Sequence, residues 1–185
     1  MKSKYALLVG LAIACNACVA ADGAWFAGLS RYRTDHDYFL AESSSSWAVS
    51  GGRMFSDYFF VEATYNNFGS FDYRNIPALA GATFVRLHSI GAAAGARLPI
   101  FSTPLSLNVA IGPHYWTRGF EVRRSTGNES FAATDHGTDL WYSAGVTYAV
   151  SDHFSLNACW NRYRFGKTSP TERLSQRGLG MTFVF

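Results

Sequence analysis

Large apolar residues and small or polar residues alternate with a period of two along much of the chain. Between Leu140 and Val150, for example, large or apolar side chains occupy every second position, and Ser143, Gly145 and Thr147 lie between them. Successive side chains of a strand point to opposite faces, so this period predicts β-structure. The pattern predicts eight strands, at positions 25–32, 46–55, 59–66, 90–98, 105–112, 140–150, 154–161 and 178–185. For the second strand, the apolar face stays undecided, because Arg53 lies an even number of residues from Trp47 and so falls on the same face.

The connections between these strands alternate in length. Short connections fall at 56–57, 99–104 and 151–152, whereas long ones fall at 34–45, 67–83, 117–137 and 165–173. Short turns at one end and long loops at the other are typical of a transmembrane barrel. Charged residues lie mostly in the long connections, whereas a soluble sandwich would carry charge on its outer faces. We therefore predict an all-β fold, an eight-stranded antiparallel up-and-down transmembrane β-barrel with an apolar outer face and a small, polar interior.

Aromatic residues fall into two groups near the predicted strand ends, as expected for rings at the two membrane interfaces. The group predicted near the long loops is Trp25, Trp47, Tyr65, Tyr115, Trp116, Tyr142 and Trp160. The group predicted near the short turns is Phe55, Tyr58, Phe59, Phe154 and Phe185.

The N-terminus has the pattern of an export signal. Lys2 and Lys4 precede a short apolar run, and the small residues Val19-Ala20-Ala21 precede Asp22. This order is typical of a cleaved signal peptide, and the apolar run is short for a membrane span. We predict a signal peptide at 1–21 and one barrel domain at 22–185, in the outer membrane of a Gram-negative-type envelope.

Composition narrows the function classes. Hydrophobic residues make up 48% of the chain and charged residues 16%, which excludes a disordered chain. The formal charge is only +3, and the signal lysines account for two of these charges, so we expect no nucleic-acid partner. Cys159 is the one cysteine after the signal, so we expect no internal disulfide.

The chain resembles the eight-stranded transmembrane domain of the outer membrane protein A family. Trp25-Phe26 is similar to the family's first strand, and Gly51-Gly52 followed by Phe59-Phe60-Val61-Glu62 is similar to its second hairpin. The end of the chain, 179–185, is similar to its closing strand. The Ail/Lom and opacity families share this layout, so the subfamily stays open.

The resemblance implies two kinds of functional residue. Apolar residues at alternate positions before a terminal Phe resemble the signal read by the outer-membrane assembly machinery, here Leu179, Met181, Phe183 and Phe185. In the family, charges inside the barrel form a salt-bridged gate, and Glu62 and Arg97 match two of its positions. We expect these two to neutralise one another, because a closed eight-stranded barrel has room only for side chains. Val184 and Cys159 replace two other gate residues, which argues against a switching gate.

Arginine and lysine residues suggest a second site, near the long loops. The candidate cations are Arg118, Arg123, Arg124, Arg162, Arg164, Lys167, Arg173 and Arg177. Arginine pairs well with phosphate through two parallel hydrogen bonds, and the phosphates at hand in an outer membrane are those of lipopolysaccharide. The same surface would also suit acidic polymers of a host surface.

Catalytic motifs are weak. A lipid A acylase, deacylase or phospholipase needs a serine next to a histidine, and His88-Ser89 lies on a predicted strand where neighbours diverge. We expect no metal or cofactor, although Asp35-His36-Asp37 and Asp135-His136, with Asp139, suggest a bridging ion as an alternative. We predict a non-enzymatic barrel with long surface loops for adhesion or surface contact and a structural role in the envelope. A lipid A-modifying enzyme and a narrow porin are the alternatives.

Overall fold

A computed structural model describes residues 23–36, 43–73, 81–100, 103–124, 130–166 and 172–185. The predicted signal peptide lies outside the described residues. All eight predicted strands are present. The strands are β1 (Trp25–His36), β2 (Ser44–Met54), β3 (Phe59–Tyr73), β4 (Gly81–Pro99), β5 (Leu105–Arg124), β6 (Ser130–Ala149), β7 (Phe154–Phe165) and β8 (Glu172–Val184). Within the described residues, no helix is long and apolar enough to cross a membrane.

The eight strands form one closed antiparallel barrel in chain order, which confirms the predicted fold. Each strand pairs with its sequence neighbours, and β1 closes the barrel against β8 from Phe26↔Val184 to His36↔Leu174. Trp25 and Phe185 extend this closure with two backbone hydrogen bonds, of 2.9 and 2.8 Å. Closure leaves no strand edge unpaired, as a backbone in hydrocarbon requires.

The apolar residues of the alternating pattern face outward, as predicted. Large side chains that remain exposed include Leu29, Val49, Ile90, Val109, Ile111, Leu140, Leu156 and Leu179. The undecided apolar face of β2 is also resolved, because Arg53 is exposed on the same face as Trp47 and Val49. Its guanidinium lies 5.7 Å from the ring centres of both Trp25 and Phe55, and its Nε donates to the Gly23 carbonyl. Arg53 thus lies at the short-turn end of the barrel, where a charged group reaches the membrane interface.

The predicted extent of the long loops was wrong. Much of 67–83 and 117–137 is strand, because β3 continues to Tyr73, β5 continues to Arg124 and β6 begins at Ser130. Antiparallel pairing satisfies the backbone beyond the membrane as well as within it. The apolar alternation disappears there because the outer face meets water and no longer meets lipid, so the sequence pattern ends where the lipid ends.

The interior differs between its two ends, and one half is not polar. Toward the long connections, a cluster of buried aromatic side chains and one leucine fills the barrel, and we call it the aromatic core: Phe68, Phe71, Trp116, Trp141, Tyr163, Phe165 and Leu174. Trp116 was therefore wrongly assigned to an outer belt, since it points inward. Trp25 was assigned to the wrong end, because it pairs with Arg53 and Phe185 near the short turns.

Toward the short turns, hydrogen bonds between polar side chains line the interior. Arg97, Asn108, Thr147, Asn157 and Thr182 form a continuous chain across β4 to β8, which we call the polar belt. Its hydrogen bonds are 3.3 Å from Arg97 to Asn108, 2.5 Å from Asn108 to Thr147, 2.6 Å from Thr147 to Asn157 and 2.7 Å from Asn157 to Thr182. Next to the belt is a cavity of about 130 Å³, which the aromatic core bounds through Trp141 and Tyr163.

Candidate functional site

Arginines form a patch on the outer wall, where β7, β8 and β1 lie side by side. On β7, Arg162 and Arg164 share the outward parity of Leu156, and on β8, Arg173 and Arg177 share that of Leu179. The apolar residues mark the part of each strand that faces lipid. The arginines therefore lie just beyond the lipid, at the end of the barrel with the long connections.

Two arginines of this patch were missed from the sequence. Arg31 and Arg33 are exposed on the outward face of β1, which closes the barrel next to β8. Arg31 and Arg33 lie an even number of residues from Trp25 and Leu29, and this spacing would have predicted that they share the outward face. Since they lie at the opposite end of the chain from Arg177, only the closure of the barrel brings them into the group. We call the six residues Arg31, Arg33, Arg162, Arg164, Arg173 and Arg177 the arginine patch.

The register places arginines of the patch directly opposite one another. Arg33 pairs across strands with Arg177, and Arg164 pairs with Arg173. Like charges in directly opposed positions destabilise a sheet. Asp35 relieves part of this repulsion, with ion pairs of 3.4 Å to Arg33 and 3.9 Å to Arg177. Both of these arginine side chains remain 73% exposed, so they are open to an anion from outside.

A groove on the outer wall borders the patch. It is lined by Arg31, Arg33 and Leu179, together with the serines at 43–45. Guanidinium and hydroxyl groups beside an apolar side chain suit an amphiphile with a phosphate headgroup, because all of them meet at the boundary of the lipid.

The other predicted cations lie elsewhere. Arg118 was wrongly assigned to an outward contact: its side chain is 14% exposed, shares the inward parity of Trp116 and pairs with Asp135 at 3.7 Å. Its guanidinium lies over the rings of Trp116 and Phe120, at 5.2 and 5.3 Å. Arg123 and Arg124 are at the end of β5, on the far side of the barrel from β8. Lys167 lies outside the described residues.

Glu62 and Arg97 line the same interior cavity, but the structure does not pair them. Within the described residues, no ion pair joins the two within 4 Å. Arg97 instead donates to Asn108, at 3.3 Å, and lies 3.7 Å from the sulfur of Met54. The resemblance correctly predicted that both side chains face the interior. The predicted ion pair between them was wrong.

The residues of the proposed assembly signal lie on the outward face of β8. Leu179, Met181, Phe183 and Phe185 are all exposed, and Phe185 bonds to Trp25 at the closure of the barrel. The geometry makes them part of the lipid-facing wall. Recognition by the assembly machinery stays a prediction.

The residues considered for catalysis do not come together. His88 is exposed on the outer face and Ser89 is buried, as expected for strand neighbours. His114 is buried, and its Nε2 lies 3.0 Å from the Arg164 carbonyl oxygen. Asp35 and Asp135, suggested as cation ligands, instead pair with arginines on opposite sides of the barrel.

Comparisons with known proteins agree with this architecture. A family model described as outer membrane protein beta-barrel domain matches residues 6–185. Neisserial surface protein A is similar at a TM-score of 0.58 and 19% identity, covering 89% of this chain and 98% of that one. Ail of Yersinia pestis, in complex with the heparin analogue sucrose octasulfate, is similar at a TM-score of 0.55 and 14% identity, covering 88% and 97%.

The outer membrane protein OprG from Pseudomonas aeruginosa is similar at a TM-score of 0.56 and 12% identity, covering 88% of this chain and 96% of that one. No curated protein matches the sequence. At these identities the solved structures show a common fold, whereas the family model matches nearly the whole chain. The chain belongs to the outer membrane protein beta-barrel family and is an integral protein of the outer membrane.

Proposed function

We propose that this protein is a non-enzymatic outer-membrane barrel whose arginine patch binds the phosphate groups of lipopolysaccharide. This contact anchors the barrel in the outer leaflet and contributes to the integrity of the envelope. The surface hairpins above the patch are free to make contact with other surfaces, including acidic polymers of a host.

The observation that carries this proposal is the pairing of like charges on the outer wall. At two places an arginine lies directly opposite another arginine on the neighbouring strand. Among the described residues, Asp35 is the one acid that forms an ion pair with any of these four arginines. Such an arrangement costs free energy in the protein alone and is stabilised by a bound anion. The patch lies where the outer leaflet carries its phosphates, directly above Leu179 and Met181.

A sulfated host polymer is the second candidate partner, because sulfate and phosphate are recognised by the same guanidinium chemistry. The structural neighbour from Yersinia pestis was solved with a heparin analogue, which supports this candidate. We favour lipopolysaccharide because Arg33 and Arg177 lie against the lipid-facing wall.

The alternatives from other classes have less support. Catalysis needs a serine bonded to a histidine, and no such hydrogen bond joins them within the described ranges. Pore formation needs an open lumen, whereas the aromatic core fills the interior toward the long connections. We therefore assign neither a lipid A-modifying activity nor a porin role to the chain.

The proposal is tested by removing the charges of one pair of opposed arginines, Arg33 and Arg177. We expect the double variant Arg33→Gln/Arg177→Gln, in phosphatidylcholine nanodiscs, to bind fluorescent lipopolysaccharide at least tenfold more weakly than wild type. Two charge-assisted hydrogen-bond donors are lost, each worth about 1.5–3 kcal/mol. Arg86→Gln is the matched control, because Arg86 is exposed on β4, away from the patch.

Wild type should bind dephosphorylated lipopolysaccharide as weakly as the double variant binds the intact form. Equal losses in Arg86→Gln and the double variant would mean that general positive charge, and not the patch, is responsible. Tighter binding of heparin than of lipopolysaccharide would assign the patch to the host-polymer partner.

A further inference from the structure

The carboxylate of Glu62 faces the interior cavity without a partner. In the part of the chain that the structure describes, it makes no hydrogen bond and no ion pair. Two pairs of nearby polar groups are engaged with one another: Cys159 Sγ lies 3.4 Å from the Tyr32 hydroxyl, and the Tyr163 hydroxyl donates to Asn66 at 3.1 Å. A charge removed from water without a partner costs several kcal/mol, so the Glu62 carboxylate is stabilised either by a bound proton or by a counter-charge.

Arg97 does not supply that counter-charge. Its side chain is held by Asn108 and Met54, next to the short turn that precedes β5. In the register of β3 and β4, Glu62 lies opposite Ala93, which is four residues from Arg97. Four residues of a strand span about 13 Å, so the two charges lie at different levels of the cavity.

Aromatic rings line the same cavity as the carboxylate. Phe26 and Phe60 meet edge to face at 6.1 Å, below Glu62. They fit there because Gly52 and Gly95 lack a Cβ, which would collide with the two rings. At the other end, Trp141 and Tyr163 stack at 5.6 Å and 10°. The faces of such rings attract cations, and rings around one acid are the usual means of holding an alkylated ammonium group.

The size and composition of the cavity restrict the ligand. Its volume is about 130 Å³, and an apolar cavity of about 150 Å³ holds a molecule of benzene. Calcium and magnesium need several oxygen ligands, usually with more than one carboxylate. Glu62 is the one acidic side chain lining the cavity among the described residues. A divalent metal is therefore a poor fit, whereas a compact organic cation satisfies both the charge and the rings.

We propose that this cavity is a binding site for a small alkylammonium cation, with Glu62 as its counter-ion. The cavity extends to Phe26, Met54 and Val184 at the short-turn end of the barrel, and the aromatic core bounds it at the other end. The ligand therefore enters from the periplasmic side. This site is separate from the arginine patch and independent of lipopolysaccharide binding.

The test uses the full barrel in nanodiscs and tetramethylammonium as the probe. We expect saturable transfer of magnetisation from protein to the methyl protons of the probe, and no saturable signal for its neutral analogue tert-butanol. Glu62→Gln keeps the shape of the side chain and removes its charge, and it should weaken binding at least tenfold. Glu121→Gln, which removes a carboxylate of β5 outside the cavity, should leave binding unchanged.

A second pair of variants tests the location. Ala110 faces the cavity and is 7% exposed, so Ala110→Leu should fill the space and abolish binding while Glu62 remains. Ala144→Leu adds the same bulk at an exposed, lipid-facing position of β6 that does not line the cavity, and it should bind as wild type does. Heat-dependent gel migration reports that each variant is folded. Unchanged affinity in Glu62→Gln or Ala110→Leu, equal loss in Glu121→Gln, or equal binding of tert-butanol would each overturn the proposal.

Discussion

The two halves of the barrel interior are stabilised by different kinds of side-chain contact. The half near the surface hairpins is filled by aromatic side chains that pack on one another, as in a soluble core. The half near the periplasmic turns is held by side-chain hydrogen bonds and keeps a cavity. Both halves are enclosed by one wall, whose outer face is apolar wherever it meets lipid. The comparison shows that the lipid restricts the outer face and leaves the interior free to differ from level to level.

The largest expected effect is in the aromatic half. Trp141 is 3% exposed and stacks on Tyr163, so Trp141→Ala removes a large buried ring. We expect a loss of about 3–5 kcal/mol in the free energy of unfolding, measured by urea titration of the barrel in lipid vesicles. Trp160→Ala is the matched control, because Trp160 is on the outward face and its loss leaves no interior cavity. Similar losses for both would mean that the aromatic core contributes no more than the wall.

A smaller effect is expected where the wall supports that core. Gly112 lies opposite Trp141 in the register of β5 and β6, and a Cβ there would collide with the Ala92 carbonyl. Since backbone cannot move aside cheaply, we expect Gly112→Ala to cost about 1–3 kcal/mol in the same titration. Gly119, further along β5, has no atom within 4 Å of the added Cβ. Gly119→Ala should therefore be nearly neutral, and an equal loss there would exclude a steric cause.

The smallest effect is expected in the polar half. Asn157 bonds to both Thr147 and Thr182 in the polar belt, so Asn157→Ala breaks two hydrogen bonds. We expect a loss of about 1–2 kcal/mol, since the exchange with water offsets much of each bond. Combining it with Asn108→Ala should give less than the sum of the single losses, because both residues act through Thr147. Strict additivity would show that the belt is a set of independent contacts.

The sequence predicted the parts of the fold that lipid constrains. Leu107, Val109 and Ile111 alternate with small residues because one face of β5 meets hydrocarbon, so their strand and its orientation were readable. Beyond the membrane the same strand continues through Thr117 and Gly119, where no solvent imposes alternation. A pattern based on hydrophobicity therefore could not predict where the strands end.

The site was predicted in part, for a related reason. Arg173 and Arg177 are near Arg162 and Arg164 in both sequence and space, so four members of the patch were found. Arg31 and Arg33 join them only through the closure of β1 on β8, and residue spacing along the chain carries no information about that contact. Arg118 was misplaced because it was assigned to a loop, where alternation carries no information. It lies on β5, where it stands two residues from the buried Trp116 and faces inward with it.

The length of the β5–β6 hairpin has a consequence for what the protein presents to its surroundings. Twenty residues in each strand, at about 3.4 Å per residue and a tilt near 40°, give a height of roughly 50 Å. The hydrocarbon band takes up only about 25 Å of that height. The remaining height of the two strands stands outside the hydrocarbon, on the side of the long connections. A large partner that approaches the outer surface would therefore meet this hairpin before it reaches the arginine patch, which lies on β7, β8 and β1 at the other side of the barrel.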